Sequence, residues 1–390
     1  MKPFRTFVQQ NAIKFWLKAE KPVYALTKGK HAQNLFLSAL DIPNVGTNVK
    51  IVSENETSTF IAKFNGDGTY DKSDFKILTF TDLHLDEDYP TNNKTLQLMI
   101  DNIRDVKPDL VIFTGDCILS KYQQIDAIQF GQLMEKIGVY WAYVFGNHEA
   151  RAEKEYFKYL IFKSLTDFPH CLSKFGDPNL FGYGNFIINI MDSETNLRQS
   201  LVLFDSGRSM CEPHITRDGV PAEINSGYDY IKPTQIQWYK NEITSLKKKY
   251  QKAPSMLYMH IPIPEYREVF EAENNPDESY TPTGKAELLY GVQYESIGAS
   301  PYNSGLFDVM LEMGAQAVFA GHDHVNDWAA KYKGIYLVYS QCGGYNCYGM
   351  GDYHGIHWDE KDWLQGATLT TINPDGGITL EQKKNGRFIK

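Results

Sequence analysis

Residues 75–84 read Phe75-Lys76-Ile77-Leu78-Thr79-Phe80-Thr81-Asp82-Leu83-His84, an apolar run that hands over directly to a carboxylate and an imidazole one residue apart. A run of that length reads as a buried strand, and Leu96, Met99, Ile100 and Ile103 recur beyond it at helical spacing. The same order returns twice. Asp109 to Phe113 leads into Thr114-Gly115-Asp116 and a helix bearing Ile125, Ile128, Leu133 and Ile137; Val139 to Phe145 leads into Gly146-Asn147-His148-Glu149 and a helix from about Ala152 to Ser164. Strands alternating with helices predict an α/β fold, in which ligands bind at the carboxyl ends of the strands. In all three units, polar side chains of ligand type stand at that point.

Farther along, strands are expected at Phe186 to Met191 and Leu201 to Phe204, followed by the loop Asp205-Ser206-Gly207-Arg208. Pro233 opens a helix with Ile236, Tyr239, Ile243 and Leu246 inward, and the strand Met256 to Met259 delivers His260 into Ile261-Pro262-Ile263-Pro264. The run Ala315 to Ala320 ends in Gly321-His322-Asp323-His324-Val325-Asn326-Asp327. Two imidazoles one residue apart after a glycine suit a metal better than a core, since neutral histidine is a common ligand for Zn, Fe and Mn. Gly334 to Tyr339 and Thr368 to Ile372 complete the strands, with a hairpin turn at Asn373-Pro374-Asp375-Gly376-Gly377.

These patterns divide the chain into a helical arm over residues 1–74, a catalytic domain over 75–372 and a hairpin tail over 373–390. Phe4, Phe7, Val8, Ala12, Phe15 and Trp16 recur at helical spacing in the arm. Residues 265–303 form a long insertion of the kind that serves as a lid. From Glu265 to Glu295 it carries eight acidic residues against Arg267 and Lys285.

With 390 residues and a formal net charge of -9, the chain lacks the basic footprint of a nucleic-acid binder, and no nucleic-acid partner is expected. No segment approaches the roughly 18 apolar residues of a membrane span, and Lys14 and Lys18 interrupt any apolar leader region. A soluble, cytoplasmic chain is favoured on that reading. Cys117, Cys171, Cys211, Cys342 and Cys347 lack Cys-x-x-Cys spacing and read as free thiols, with a Cys342–Cys347 bridge the alternative in an oxidising compartment. Neither a nucleophile-elbow serine motif nor a P-loop is present.

Taken in order, Asp82, His84, Asp116, Asn147, His148, His260, His322 and His324 resemble the motif series of the calcineurin-like metallophosphoesterases: D-x-H, G-D, G-N-H-D/E, a lone His and G-H-x-H. The resemblance runs over about residues 75 to 372. The flanking words Met259 to Tyr266, Gly321 to Asp327 and Tyr228 to Trp238 are similar to those of purple-acid-phosphatase-like proteins of plants and fungi. Two positions depart from the true purple enzymes: Leu119 stands where they carry an iron-binding tyrosine, and Asp82-Leu83-His84 stands where they have Asp-x-Gly. Their charge-transfer colour is therefore not expected.

The resemblance implies a four-layer αββα sandwich with two central mixed β-sheets and a dinuclear metal centre. Asp82, His84, Asp116 and His324 would hold the first ion, and Asp116, Asn147, His260 and His322 the second, with Asp116 bridging. Two cations about 3.5 to 4 Å apart screen the phosphoryl charge and make hydroxide available near neutral pH. Nitrogen and oxygen donors without a thiolate favour Mn, Fe or Zn. His148 would protonate the departing ester oxygen or stabilise phosphoryl charge, with Glu149 orienting its ring. Asp323 and Asp327 would hold ligand imidazoles, and Arg151 and Arg208 would clamp phosphate. His354 and His357 read as surface-loop residues, and Cys117 as packing. The expected activity is hydrolysis of a small phosphorylated substrate or a phosphoprotein, with monoesters favoured over diesters. The alternative is a catalytically weak metal-binding scaffold that acts through a protein partner.

Overall fold

A computed structural model describes residues 40–149, 155–210, 219–276, 279–348, 365–384 and 387–389. The strands of the opening unit are apolar on both faces because each face meets a different core. Side chains alternate along a strand, so Phe75 and Ile77 enter one core while Leu78 and Phe80 enter another. Leu110 and Ile112 divide from Val111 and Phe113 in the same way. The six-stranded sheet they build runs Arg387–Ile389, Ile378–Lys384, Gly366–Ile372, Phe75–Phe80, Leu110–Phe113, Trp141–Tyr143. Its last three strands are parallel, and Gly366–Ile372 joins them antiparallel.

A second sheet of nine strands includes Phe186–Met191, Leu197–Leu203, Ser255–Tyr258, Ala315–Ala320 and Ile335–Tyr339 as adjacent strands. Met256, Tyr258, Ala317 and Phe319 point into the core shared with the first sheet. Within it the Tyr258 and Phe319 rings stack with centroids 4.5 Å apart. Leu257, Val318 and Ala320 point the other way, against residues of the helices Pro233–Tyr250 and Leu306–Met313. Helices Tyr89–Val106, Gln123–Ile137 and Glu155–Thr166 cover the outer face of the six-stranded sheet. The result is a four-layer αββα sandwich with two central mixed sheets.

Several expectations change in detail. Residues 1–39 of the expected helical arm lie outside the described residues, and its described part is a hairpin. Val49–Glu54 and Ser58–Lys63 extend the nine-stranded sheet, the second of them pairing in parallel with Phe186–Met191. The Asn55 side chain turns this hairpin by accepting from the backbone N–H groups of Thr57 and Ser58, and Ile61 and Ala62 are buried. In the helix Gln123–Ile137 the apolar face is rotated. Ala127, Phe130, Leu133, Met134 and Ile137 are buried, while Ile125 and Ile128 are only partly so. The turn at residues 373–377 joins Gly366–Ile372 to Ile378–Lys384 within the six-stranded sheet. The buried Arg198 guanidinium binds the carbonyls of Ser73, Ile372 and Asn373, tying the two sheets together at that end. No described helix is long and apolar enough to cross a membrane.

Candidate metal centre

Parallel pairing gives Phe75–Phe80, Leu110–Phe113 and Trp141–Tyr143 carboxyl ends on one edge of their sheet. Ser255–Tyr258 and Ala315–Ala320 do the same on theirs. The loops from both edges meet. His260 Nδ1 lies 2.9 Å from Thr114 O, His322 N donates to Asp82 Oδ2 at 2.9 Å, and Gly321 N donates to His260 O at 3.0 Å. The two sheets therefore position one site between them.

At its centre, Asp82 and Asp116 each commit one oxygen to the loops and leave the other facing the histidines. Asp82 Oδ2 accepts from Thr81 Oγ1 and His322 N, and Asp116 Oδ1 accepts from His148 N at 2.7 Å. Asp82 Oδ1 then stands 3.4 Å from His324 Nε2 and 3.6 Å from His84 Nε2. Asp116 Oδ2 stands 3.2 Å from His260 Nε2 and 3.9 Å from His84 Nε2. Asn147 Oδ1 lies 2.9 Å from His260 Nε2. Donor atoms of Asp82, His84 and Asp116 lie within 4.8 Å of one another, as do those of Asp116, His260 and His322. Asp82 Oδ1 and His84 Nε2 are buried without a hydrogen-bond partner. Buried polar atoms are normally paired, so orphaned nitrogen and oxygen donors aimed at one point fit a metal ion.

The backbone is bent to make this arrangement. Asp82, His84, Asp116 and His322 all adopt left-handed φ values, 52°, 49°, 50° and 81°. Non-glycine residues there are strained by a few kcal/mol at most, and such strain clusters at functional sites. Gly146 is required by close approach: a Cβ on it would stand 2.1 Å from Asp116 Oδ1.

Three supporting residues act differently from expectation. Glu149 does not orient the His148 ring. Its carboxylate accepts from the backbone N–H groups of Asp116, Cys117, Ile118 and Gly146 and from the Tyr143 hydroxyl, so it organises both motif loops from beneath. Asp323 does not hold an imidazole; it accepts from Gly298 N and from the Tyr339 hydroxyl. Asp327 accepts from Val292 N and pairs with Lys384. Together with Asn326, which accepts from Tyr294 N and Glu295 N, these side chains dock the 292–298 stretch of the acidic insertion onto the motif loop. Backbone carbonyls take over the orienting role, Thr114 O for His260 and Tyr348 O for His324.

Charge follows from burial and proximity. Burial pushes the Asp82 and Asp116 carboxyls up, but the neighbouring His260 outweighs it and holds both below the usual range. Burial lowers His260 and His324, yet Asp116 carries His260 up to about 9, and Cys342 together with Asp82 carries His324 up to about 10. Burial and the charge of His260 push His322 down to about 3, and burial lowers His84. Burial and Asp116 raise Glu149 to about 7, and burial and Glu295 raise Asp323 to about 7. The Cys342 sulfur and burial hold the Cys347 thiol well above its ordinary range.

The centre opens into a cleft of about 350 Å³, lined by His84, Asp116, His148, His322 and His324 together with Leu119, Tyr228, Glu295, Asp323, Cys347 and Tyr348. His148 is the more exposed imidazole, with its Nε2 3.8 Å from Asp116 Oδ2. Arg208 is exposed and does not line the cleft. Arg151, His354 and His357 lie outside the described residues. Tyr228, whose ring meets His322 edge-on at 4.3 Å, and Tyr348, stacked on His324 at 4.2 Å, were not expected at the site. Their contacts span long sequence separations that no local pattern announces. Only the position of Tyr228 within a family-like word pointed toward it.

A family profile described as calcineurin-like phosphoesterase matches residues 75–326. "Probable inactive purple acid phosphatase 29" of Arabidopsis thaliana is 29% identical over 353 residues, 81% of this chain and 79% of that one. "Probable inactive purple acid phosphatase 14" of the same plant is 28% identical over 326 residues, 74% of each chain. "Phosphatase DCR2" of Saccharomyces cerevisiae is 28% identical over 283 residues, 67% of this chain and 46% of the yeast protein. The likeness to purple-acid-phosphatase-like proteins of plants and fungi thus holds across most of the chain.

Proposed function

The chain belongs to the calcineurin-like phosphoesterase family, and on that premise we propose that it is a dinuclear-metal phosphoesterase that hydrolyses phosphate monoesters in preference to diesters. The observation that carries this reading is the pair of donor groups sharing Asp116, each drawn within 4.8 Å. Asp82, His84, Asp116 and His324 would hold one ion and Asp116, Asn147, His260 and His322 the other, with Mn, Fe or Zn suited to the nitrogen and oxygen donors. Two bound cations would screen the phosphoryl charge and make hydroxide available near neutral pH.

The chain's own residues do the rest. Asp116, pinned by His148 N and by Glu149 under its backbone, keeps one oxygen aimed at both donor groups. His148 sits at the cleft with its ring partly exposed, placed to give a proton to the departing ester oxygen. Leu119 lines the cleft where a purple enzyme would present tyrosine, so tyrosinate colour is not expected. Among the described residues lining the cleft none is Lys or Arg, and its charged-residue lining besides the histidines is carboxyl groups, Asp116, Glu295 and Asp323. Such a wall suits one compact phosphoryl group, on a small molecule or on a protein side chain, better than a polyanionic strand.

The word inactive in the names of the two Arabidopsis relatives favours low turnover, and the second reading we propose is a catalytically weak metal-binding scaffold that acts through a protein partner. The test is turnover of aryl phosphate mono- and diesters by protein loaded with two ions per chain. Chelator-sensitive monoester hydrolysis that is lost in Asp116→Asn is expected. Full metal occupancy without turnover of either ester would overturn the hydrolase in favour of the scaffold.

A further inference from the structure

The segment from Cys342 to Tyr348 closes over the metal centre. Gly343 N donates to Thr81 O at 3.0 Å. Gly344 lies so close to the Asp82 backbone that a Cβ on it would stand 2.4 Å from Asp82 O. That approach brings Tyr348 O to 3.2 Å from His324 Nδ1 and lays the Tyr348 ring on the same imidazole. Cys347 sits between these anchors. Its sulfur is 3.5 Å from Gly344 O and 3.9 Å from Asp82 O. The Cys347 sulfur and ring nitrogens of His84 and His324 lie within 4.8 Å of one another. His84 Nε2 is buried with no hydrogen-bond partner, which is a second sign that this corner expects a ligand.

Resting on the metal-dependent reading above, we propose that Cys347 supplies a thiolate to the ion held by Asp82, His84 and His324. A thiol brought to a divalent cation gives its proton to solvent. Metal–sulfur bonds of about 2.3 Å and metal–nitrogen bonds of about 2.0–2.1 Å suit donor atoms this close. The donor set then departs from the thiolate-free one expected from the sequence. One soft donor shifts preference toward Zn²⁺ and Cd²⁺ and away from Mg²⁺ and Mn²⁺. Cys342, with its sulfur 3.5 Å from that of Cys347, does not enter the donor group with His84 and His324 and is the neighbour of the ligand.

The test uses the full chain, stripped with a chelator and reloaded with Co²⁺. Two ions per chain and a near-ultraviolet sulfur-to-cobalt charge-transfer band are expected, with the band kept in Cys342→Ser and lost in Cys347→Ser. Two bound ions without the band in the wild type would overturn the thiolate alone. A band that survives in Cys347→Ser would overturn it too, as would a Cys342–Cys347 disulfide found by mass spectrometry in the metal-loaded protein. Because the wild-type spectrum decides first, a variant that fails to fold does not shield the assignment. A chain that takes up no cobalt overturns the metal-dependent reading as well.

Discussion

Glu149 accepts the backbone N–H of Asp116 at 3.0 Å, so the carboxylate common to both candidate donor groups is held in place through its main chain by a second carboxylate buried beneath it. The same two oxygens also gather Cys117 N, Ile118 N, Gly146 N and the Tyr143 hydroxyl. Glu149→Gln keeps the shape but turns one acceptor into a donor facing backbone donors. Each buried donor left unsatisfied costs about 1–3 kcal/mol. A clear fall in the urea midpoint of the metal-free protein is therefore expected. An unchanged midpoint would mean that the loops hold their shape without Glu149.

Asn326 fastens the acidic insertion to the motif loop, accepting from Tyr294 N and Glu295 N and donating to Glu295 O, each at 3.1 Å. Asn326→Ala leaves two backbone amides without their acceptor, at about 1–3 kcal/mol for each that stays buried. Because Glu295 lines the cleft, the loosened stretch should weaken substrate binding more than turnover. Hydrogen exchange resolved to residues 292–298 should accelerate, and KM should rise more than kcat falls. Slow exchange in the variant would show that Asp323 and Asp327 suffice.

Gly146→Ala tests the closest steric demand at the centre. The new methyl would stand 2.1 Å from Asp116 Oδ1 and 2.4 Å from Asp116 N, distances that carbon contacts do not reach, so the carboxylate must move. Metal analysis of the variant should give well under the two ions per chain expected of the wild type. Retention of both ions would show that the loop shifts as a unit and carries Asp116 with it.

The candidate ligands were legible because metal chemistry calls for such side chains at strand ends, and strands buried on both faces are the easiest elements to read. Asp82, His84, Asp116, His260, His322 and His324 each follow such a run directly, and the structure brings them together. What supports them was not legible. Asp323, Asn326 and Asp327 sit beside ligand histidines in sequence, which suggested imidazole partners. Their side chains instead meet backbone 25 to 35 residues away. The left-handed backbone at Asp82, His84, Asp116 and His322 carries no glycine to announce it. The stretch 49–63 joins its sheet through pairing with residues 187–191, a contact that local spacing cannot reveal.

Metal loading should compete with protons. His260 is raised to about 9 and His324 to about 10 in the metal-free site. A raised histidine keeps its proton below the raised value, so both rings are cationic at pH 7 and must lose a proton to bind an ion. Affinity should therefore climb as pH rises from 6 toward 9, by about tenfold per unit for each proton displaced. Calorimetric titration in buffers of different ionisation heat should show about two protons released from the imidazoles per loaded chain at pH 7, and a third from Cys347 where its thiolate binds. Affinity that stays flat between pH 6 and 8 would mean that the rings are already neutral before the ion arrives.

His148 offers the sharpest kinetic test because it borders the cleft without belonging to either donor group that shares Asp116. Its backbone N–H steadies Asp116 whatever the side chain, so His148→Ala should keep both ions. A general acid contributes about 10²–10⁴ in rate. That help matters most when the leaving alkoxide is a poor one. The variant should lose about two orders of magnitude or more on an alkyl phosphate, and distinctly less on p-nitrophenyl phosphate, whose leaving group departs readily unprotonated. An equal loss on both substrates would point to stabilisation of phosphoryl charge by His148, and no loss on either would remove it from the chemistry.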